Sequence, residues 1–226
     1  LNSVSHDLRT PLVSIIGAAG TLADAPGLPD DARATLLDTI REEGERMDRY
    51  VQNLLDMTRL GHGALRPRLA PVDAADLVGA ARTRLGRVLH GHPLVVDLAP
   101  GLPPLMADHV LTEQVLVNLL DNAAKYAPPG TSVRIEGRAS EDRVALAVSD
   151  EGPGIPEAER ERVFDVFHRV EQGDRRPPGT GLGLAIARGL LEAQGGAIRA
   201  EAARPDGTGA RLVVTLPAAL AAEAAA

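Results

Sequence analysis

Seven consecutive residues, Pro178-Gly179-Thr180-Gly181-Leu182-Gly183-Leu184, constrain this 226-residue chain more than any others. Glycines at 179, 181 and 183 let the backbone approach a bulky anion without a Cβ in the way, and the Ala-rich run from Ala185 to Ala193 behind them has helical spacing. Free N–H groups and the positive end of a helix dipole would meet there, which makes a place to hold phosphate. By itself the segment reads more readily as a flexible loop before a surface helix. The rest of the chain decides between the two.

The length suits one domain of about 150 residues plus a smaller unit, and 44% hydrophobic residues suffice for a core. A formal net charge of -7 argues against non-specific nucleic-acid binding. With two Tyr and two Phe as the only aromatics, there is also no stacking platform for single strands. No apolar run approaches the roughly 20 residues of a bilayer span, and no signal-peptide pattern is present. Any membrane part is therefore expected outside this chain. The absence of Cys removes disulfides and thiolate metal sites and suits a reducing cytoplasm. Of 24 basic residues only Lys125 is a lysine, which singles out its compact point charge against an arginine background.

The first segment has helical spacing, with Leu8, Leu12, Ile15, Ile16, Ala19 and Leu22 on one face. It lacks a convincing N-cap and reads as a cut through a longer helix of a larger protein. His6 projects roughly opposite the apolar stripe, beside Ser3, Thr10, Val13 and Gly17, and is expected to be solvated. Pro11 should kink the helix. Pro26-Gly27-Leu28-Pro29-Asp30 closes it, and Asp30 or Asp31 caps a second helix to about Leu60, with Leu36, Ile40, Met47, Val51, Leu54 and Thr58 in a near-heptad stripe. Two such helices cannot bury both stripes alone. Pairing with a second copy would give a four-helix bundle, and packing on the C-terminal domain is the alternative.

These patterns divide the chain into a helical hairpin (1–62), a linker (63–72), an α+β domain (73–217) and an Ala-rich tail (218–226). Within the α+β part, helices are expected over 73–87 and 109–126, and strands over 94–98, 133–136, 144–149, 198–202 and 211–216. Strands with helices segregated between them make a two-layer sandwich.

On the helix of 109–126, Asn118, Asn122 and Lys125 share one face and Leu116, Leu119, Leu120 and Ala123 the other. An amide oxygen suits Mg²⁺ and an ammonium suits phosphate, although a solvent-facing polar stripe would look the same. Ser149-Asp150-Glu151-Gly152-Pro153-Gly154-Ile155 ends a strand with a carboxylate followed by glycines, which could accept from an exocyclic amine while leaving room for a flat ring. Phe164 and Phe167 precede an Arg-rich loop that leads into the glycine segment. They could anchor a lid or be plain core.

Taken in order, these four motifs resemble the nucleotide-binding domain shared by sensor histidine kinases, Hsp90-type chaperones, type II topoisomerases and MutL. Ser5-His6-Asp7-Leu8-Arg9-Thr10-Pro11 resembles the phospho-acceptor box of sensor histidine kinases. Together with Asn53-Leu54-Leu55-Asp56-Met57, the chain looks most like the potassium-responsive Kdp-type sensors. The resemblance implies ATP and Mg²⁺ as cofactors, phosphorylation of His6 with Asp7 taking up the Nδ1 proton, and transfer to an aspartate of a response regulator docked on the Val13/Gly17 face. Thr10 would orient a water for a phosphatase reaction.

It further implies Asn122 on Mg²⁺ with Asn118 nearby, and Lys125 and Arg169 on phosphate oxygens. Asp150 would bind the adenine amine beside Gly152, with Gly154, Ile155, Tyr126 and Thr208 around the base. Gly179, Gly181, Leu182, Gly183 and Leu184 would cradle the phosphates. A homodimer through the hairpin, no nucleic-acid partner, a cytoplasmic location and a full-length protein anchored in the inner membrane complete the expectation. Two departures stand out: Gly207-Thr208-Gly209-Ala210 replaces a usual Gly-Thr-x-Phe, and His168 stands where an aromatic often follows the Phe pair. An ATP-gated dimerising ATPase of the Hsp90 or MutL type is the alternative. It needs a general-base carboxylate where this chain has Asn118.

Overall fold

The computed structural model describes residues 2–25, 27–61, 65–86, 88–170 and 181–219, the side chains of 2–8 and 59 excepted. Two compact units divide after Gly61. The first is a hairpin of α1 (Asn2–Asp24) and α2 (Asp30–Gly61). Helix α1 runs through Pro11 without ending, and Asp30 and Asp31 place negative charge at the start of α2, where the helix dipole favours it. The side chains turned inward on α1 are Pro11, Ile15, Ala18 and Leu22, at helical spacing. Leu12, Ile16 and Ala19 of the expected stripe remain exposed, because the apolar arc of α1 is wider than one neighbouring helix can cover.

The second unit is a two-layer α/β sandwich. Helices α3 (Ala74–Arg84), α4 (His109–Tyr126) and α5 (Gly183–Glu192) accompany strands β2 (Leu94–Leu98), β4 (Val133–Ser140), β5 (Arg143–Ser149), β6 (Ala197–Ala202) and β7 (Ala210–Pro217). Sheet order is β2-β4-β5-β7-β6, with β2 and β4 parallel and the other pairs antiparallel. A separate ribbon pairs β1 (Ala70–Val72) with β3 (Leu105–Ala107) in antiparallel register, so the last three residues of the expected linker are strand. Alternation along β4 and β5 sends Val133, Ile135, Val144 and Leu146 into the core against Leu116, Leu119 and Leu120 of α4 and Ile186 and Leu190 of α5, all fully buried. At roughly 1.5–3 kcal/mol for each large side chain buried, this layer dominates stability.

The opposite face of the sheet carries charge. Asp97 pairs with Arg138 at 2.6 Å, and Arg211 on β7 bridges Glu136 on β4 and Glu201 on β6, a span of four strands.

Two polar features orient the helices. The Asp108 side chain caps α4 by accepting from Val110 N and Leu111 N, and its second oxygen accepts from Arg68 N at 2.8 Å. Gln194, 2% exposed, accepts through Oε1 from Asp108 N and the buried Thr112 hydroxyl and donates through Nε2 to Leu190 O. The start of α4 is thereby fastened to the end of α5.

Candidate active site

Helix α4 forms a common wall for the expected site. Near its middle Asn118 is almost fully buried. It accepts from Gln114 Nε2 at 3.2 Å and donates through Nδ2 to Gly183 O at 3.2 Å, which ties α4 to the first turn of α5. One turn on, the half-buried Asn122 makes no side-chain hydrogen bond among the described residues, so none of these occupies its amide oxygen. Lys125 Nζ lies 5.1 Å from the centre of the Tyr126 ring. Burial raises the Tyr126 phenol above its ordinary value, with the positive charge of Arg169 opposing the rise.

Asp150 follows β5 and is 6% exposed. Its Oδ1 accepts from Gly152 N at 2.8 Å and Ala210 N at 3.2 Å. Burial pushes its carboxyl above the ordinary carboxylate value, and the two amides only partly offset that. A Cβ at Gly152 would lie 2.7 Å from Tyr126 O, so the loop after Asp150 is pressed against the end of α4. Asn118 at Gly183 and Tyr126 at Gly152 are eight residues apart on one helix, about 12 Å at 1.5 Å per residue.

The loop also locks into the β6–β7 hairpin. Gly154 has φ +82°, and a Cβ there would lie 2.3 Å from Gly207 O. Gly209 N donates to Gly152 O at 2.8 Å. Ile155 is buried beside this loop, and its carbonyl accepts from Arg160 Nε. The sequence reading missed this backbone interlock; its signal was the pair Gly207 and Gly209 around Thr208. Thr208 itself is exposed, and its N–H and hydroxyl both donate to Asp206 Oδ1, at 2.9 and 2.6 Å.

Of the glycine segment, Gly179 lies outside the described residues. Gly181 has φ +69°, and its carbonyl accepts from Phe167 N at 3.2 Å. Leu182 is buried at the N-terminus of α5, and Gly183 and Leu184 open its first turn, so α5 begins where a dipole for phosphate was expected. Of the Phe pair, Phe164 is core and Phe167 is half-exposed with φ +65°. His168 Nε2 is 2.5 Å from Glu159 Oε2. In the other unit, the backbone of His6 and Asp7 is helical within α1, with their side chains outside the described residues, and Thr10 is exposed.

A buried carboxylate and a dipole-bearing helix start, joined by one helix, are parts from which a nucleotide-binding lobe can be built. Residues 107–220 accordingly match the family described as Histidine kinase-, DNA gyrase B-, and HSP90-like ATPase. Residues 1–63 match the His Kinase A (phospho-acceptor) domain, and the chain belongs to the two-component sensor histidine kinases. It is 38% identical over 226 residues to the Sensor protein KdpD of Mycobacterium tuberculosis, an alignment covering 96% of this chain and 26% of that protein. The chain therefore spans about a quarter of that relative's length. Among solved structures, Acinetobacter baumannii histidine kinase AdeS is similar with TM-score 0.70 and 25% identity, over 95% of this chain and 98% of that one. Mycobacterial sensor histidine kinase MprB is similar with TM-score 0.58 and 32% identity, over 66% of this chain and 97% of that one.

Proposed function

We propose that this chain is the catalytic core of a sensor kinase that transfers the γ-phosphoryl group of ATP to His6 and then to an aspartate of a response regulator. The observation that carries the reading is α4, which holds Asn118, Asn122 and Lys125 between a buried carboxylate at one end and a helix N-terminus at the other. In the transfer, neutral His6 attacks through Nε2. A P–Nε2 bond forms and the bond from phosphorus to the β,γ-bridging oxygen breaks, with ADP leaving on the electron pair. Asp7 holds the Nδ1 proton and takes up the developing charge.

Asp150 receives the adenine amine among Gly152, Gly154, Ile155 and Tyr126, with Thr208 at the rim. Gly179 to Leu184, Lys125 and Arg169 neutralise phosphate charge. Thr10, one helical turn from His6, orients a water that hydrolyses the aspartyl-phosphate of the response regulator, releasing inorganic phosphate as the phosphatase reaction. No cluster of three or more His, Asp or Glu exists among the described residues to cage a metal. Mg²⁺, which would neutralise charge between the phosphates, fits here on the amide of Asn122 with phosphate and water oxygens completing its shell.

Leu12 is 44% and Ile16 62% exposed, with Leu37, Val51 and Leu55 likewise open, and this surface supports a homodimer through the hairpin. The Val13/Gly17 face is where a response regulator would dock. Among the described residues no helix is long and apolar enough to cross a membrane. We place this part in the cytoplasm, with membrane anchoring assigned to the rest of the protein.

The test is incubation with radiolabelled ATP and Mg²⁺. The expected product is acid-labile, base-stable protein label that disappears in His6→Ala and Asn122→Ala. Label persisting in His6→Ala removes His6 from the mechanism. A mixture of the two variants that regains label reports transfer between protomers.

A further inference from the structure

Resting on the nucleotide reading above, the geometry around Asp150 raises a question of specificity. Both protein donors to its carboxylate, Gly152 N and Ala210 N, go to Oδ1. Among the described residues Oδ2 has no protein donor, in a side chain that is 6% exposed. A buried oxygen is thus left for an incoming N–H. Which oxygen is left, and where it points, depends on the loop and hairpin that supply the two amides.

The next residue holds that pair together. Glu151 Oε1 accepts from Ser132 N at 3.1 Å and Ser132 Oγ at 2.9 Å, while Oε2 accepts from Arg204 at 2.6 Å. Ser132 immediately precedes β4 and Arg204 lies in the β6–β7 hairpin, so one carboxylate joins three separate segments. The hairpin in turn donates Gly209 N to Gly152 O. A loop held on both sides cannot re-aim its Asp150.

We propose that Glu151, held by Ser132 and Arg204, is a positioning residue that fixes the Asp150 carboxylate and so makes the site select a 6-amino purine over a 6-oxo purine. A 6-amino group donates an N–H to a fixed acceptor. A 6-oxo purine presents an acceptor at that place and can satisfy the carboxylate only through its N1–H and 2-amino groups, which requires the carboxylate to move. Rigidity of the loop is therefore the source of discrimination.

The experiment measures dissociation constants of the whole chain for ATP, GTP and inorganic tripolyphosphate by calorimetry, in wild type, Glu151→Gln, Arg204→Ala and Arg204→Lys. The expected result is that Arg204→Ala and Glu151→Gln narrow the ratio of ATP to GTP affinity by roughly 3- to 5-fold, the range of one exposed charge-assisted pair. Tripolyphosphate affinity should stay constant, and Arg204→Lys should recover part of the ratio. An unchanged ratio in both variants overturns the proposal, as does an equal loss for all three ligands, which would mark a purely structural role. If the wild type fails to bind ATP at all, the nucleotide reading itself falls and takes this inference with it.

Discussion

Gly209→Ala tests the interlock between the hairpin and the nucleotide loop. Gly209 has φ +71°, a conformation that costs an L-residue roughly 1–2 kcal/mol. A Cβ there would also lie 2.4 Å from Asp150 O and 2.8 Å from Ala203 Cβ, and the first is backbone that cannot swing aside. Forcing an extra carbon into a packed site adds about 1–3 kcal/mol. The sum is roughly 2–5 kcal/mol, and for a chain of this size each kcal/mol lowers the melting temperature by about 2–4 °C. Thermal unfolding followed by circular dichroism should therefore show a fall of about 10 °C. Gly79→Ala is the control: it lies inside α3, a Cβ there meets nothing within 4 Å, and the helix gains about 0.5–1 kcal/mol. Its melting temperature should rise by about 2 °C. A Gly209→Ala protein that melts within about 2 °C of wild type refutes the reasoning, because neither the strain nor the contact would then exist.

Four further outcomes follow from the site and its supports. Burial raises the Asp150 carboxyl in the folded state, so folded protein holds that proton to higher pH than unfolded chain, and stability falls as pH rises from the ordinary carboxylate value through the raised one. Asp150→Asn should thus melt no lower than wild type at pH 7, with any gain closing towards about pH 4, while ATP affinity measured by calorimetry drops at least about tenfold. Asn122→Ala should leave urea stability within about 0.5 kcal/mol yet abolish Mg²⁺-dependent tightening of ATP binding. Asn118→Ala, which strips Gly183 O and Gln114 of a buried partner, should cost about 1–3 kcal/mol in the same urea titration. Gln194→Met should cost about 2–4 kcal/mol, because Asp108 N and the fully buried Thr112 hydroxyl lose their acceptor; a urea midpoint equal to wild type would contradict this.

The sequence was most readable where one local signal sufficed. The amphipathic run of 109–126 is α4 over the span observed, and the structure shows Asp108 capping it. Strand β2 likewise falls on 94–98. Elements defined by their partners were hidden. Strands β1 and β3 have three residues each, too few to show alternation, and exist through their mutual pairing. Strand β4 runs four residues past the expected Glu136, through Gly137, whose missing Cβ makes room for the Leu98 and Leu102 side chains.

At the site, residue types were legible because amides, a lone lysine and a carboxylate followed by glycines each imply a chemistry. Their supports were not. Glu151, Ser132 and Arg204 are ordinary polar residues until the chain brings positions 132, 151 and 204 together. The open face of α1 was partly legible: the stripe was seen, but which of its residues the hairpin would use depended on where α2 lies.

Because Asn118, Asn122, Lys125 and Tyr126 ride on a single uninterrupted helix, their spacing is set by the pitch of the backbone and not by any loop. Adding or deleting one residue between them would turn everything beyond that point by about 100° and break in one stroke the alignment that the proposed nucleotide site depends on. The stretch therefore acts as a fixed gauge, open to new side chains but closed to any change of length.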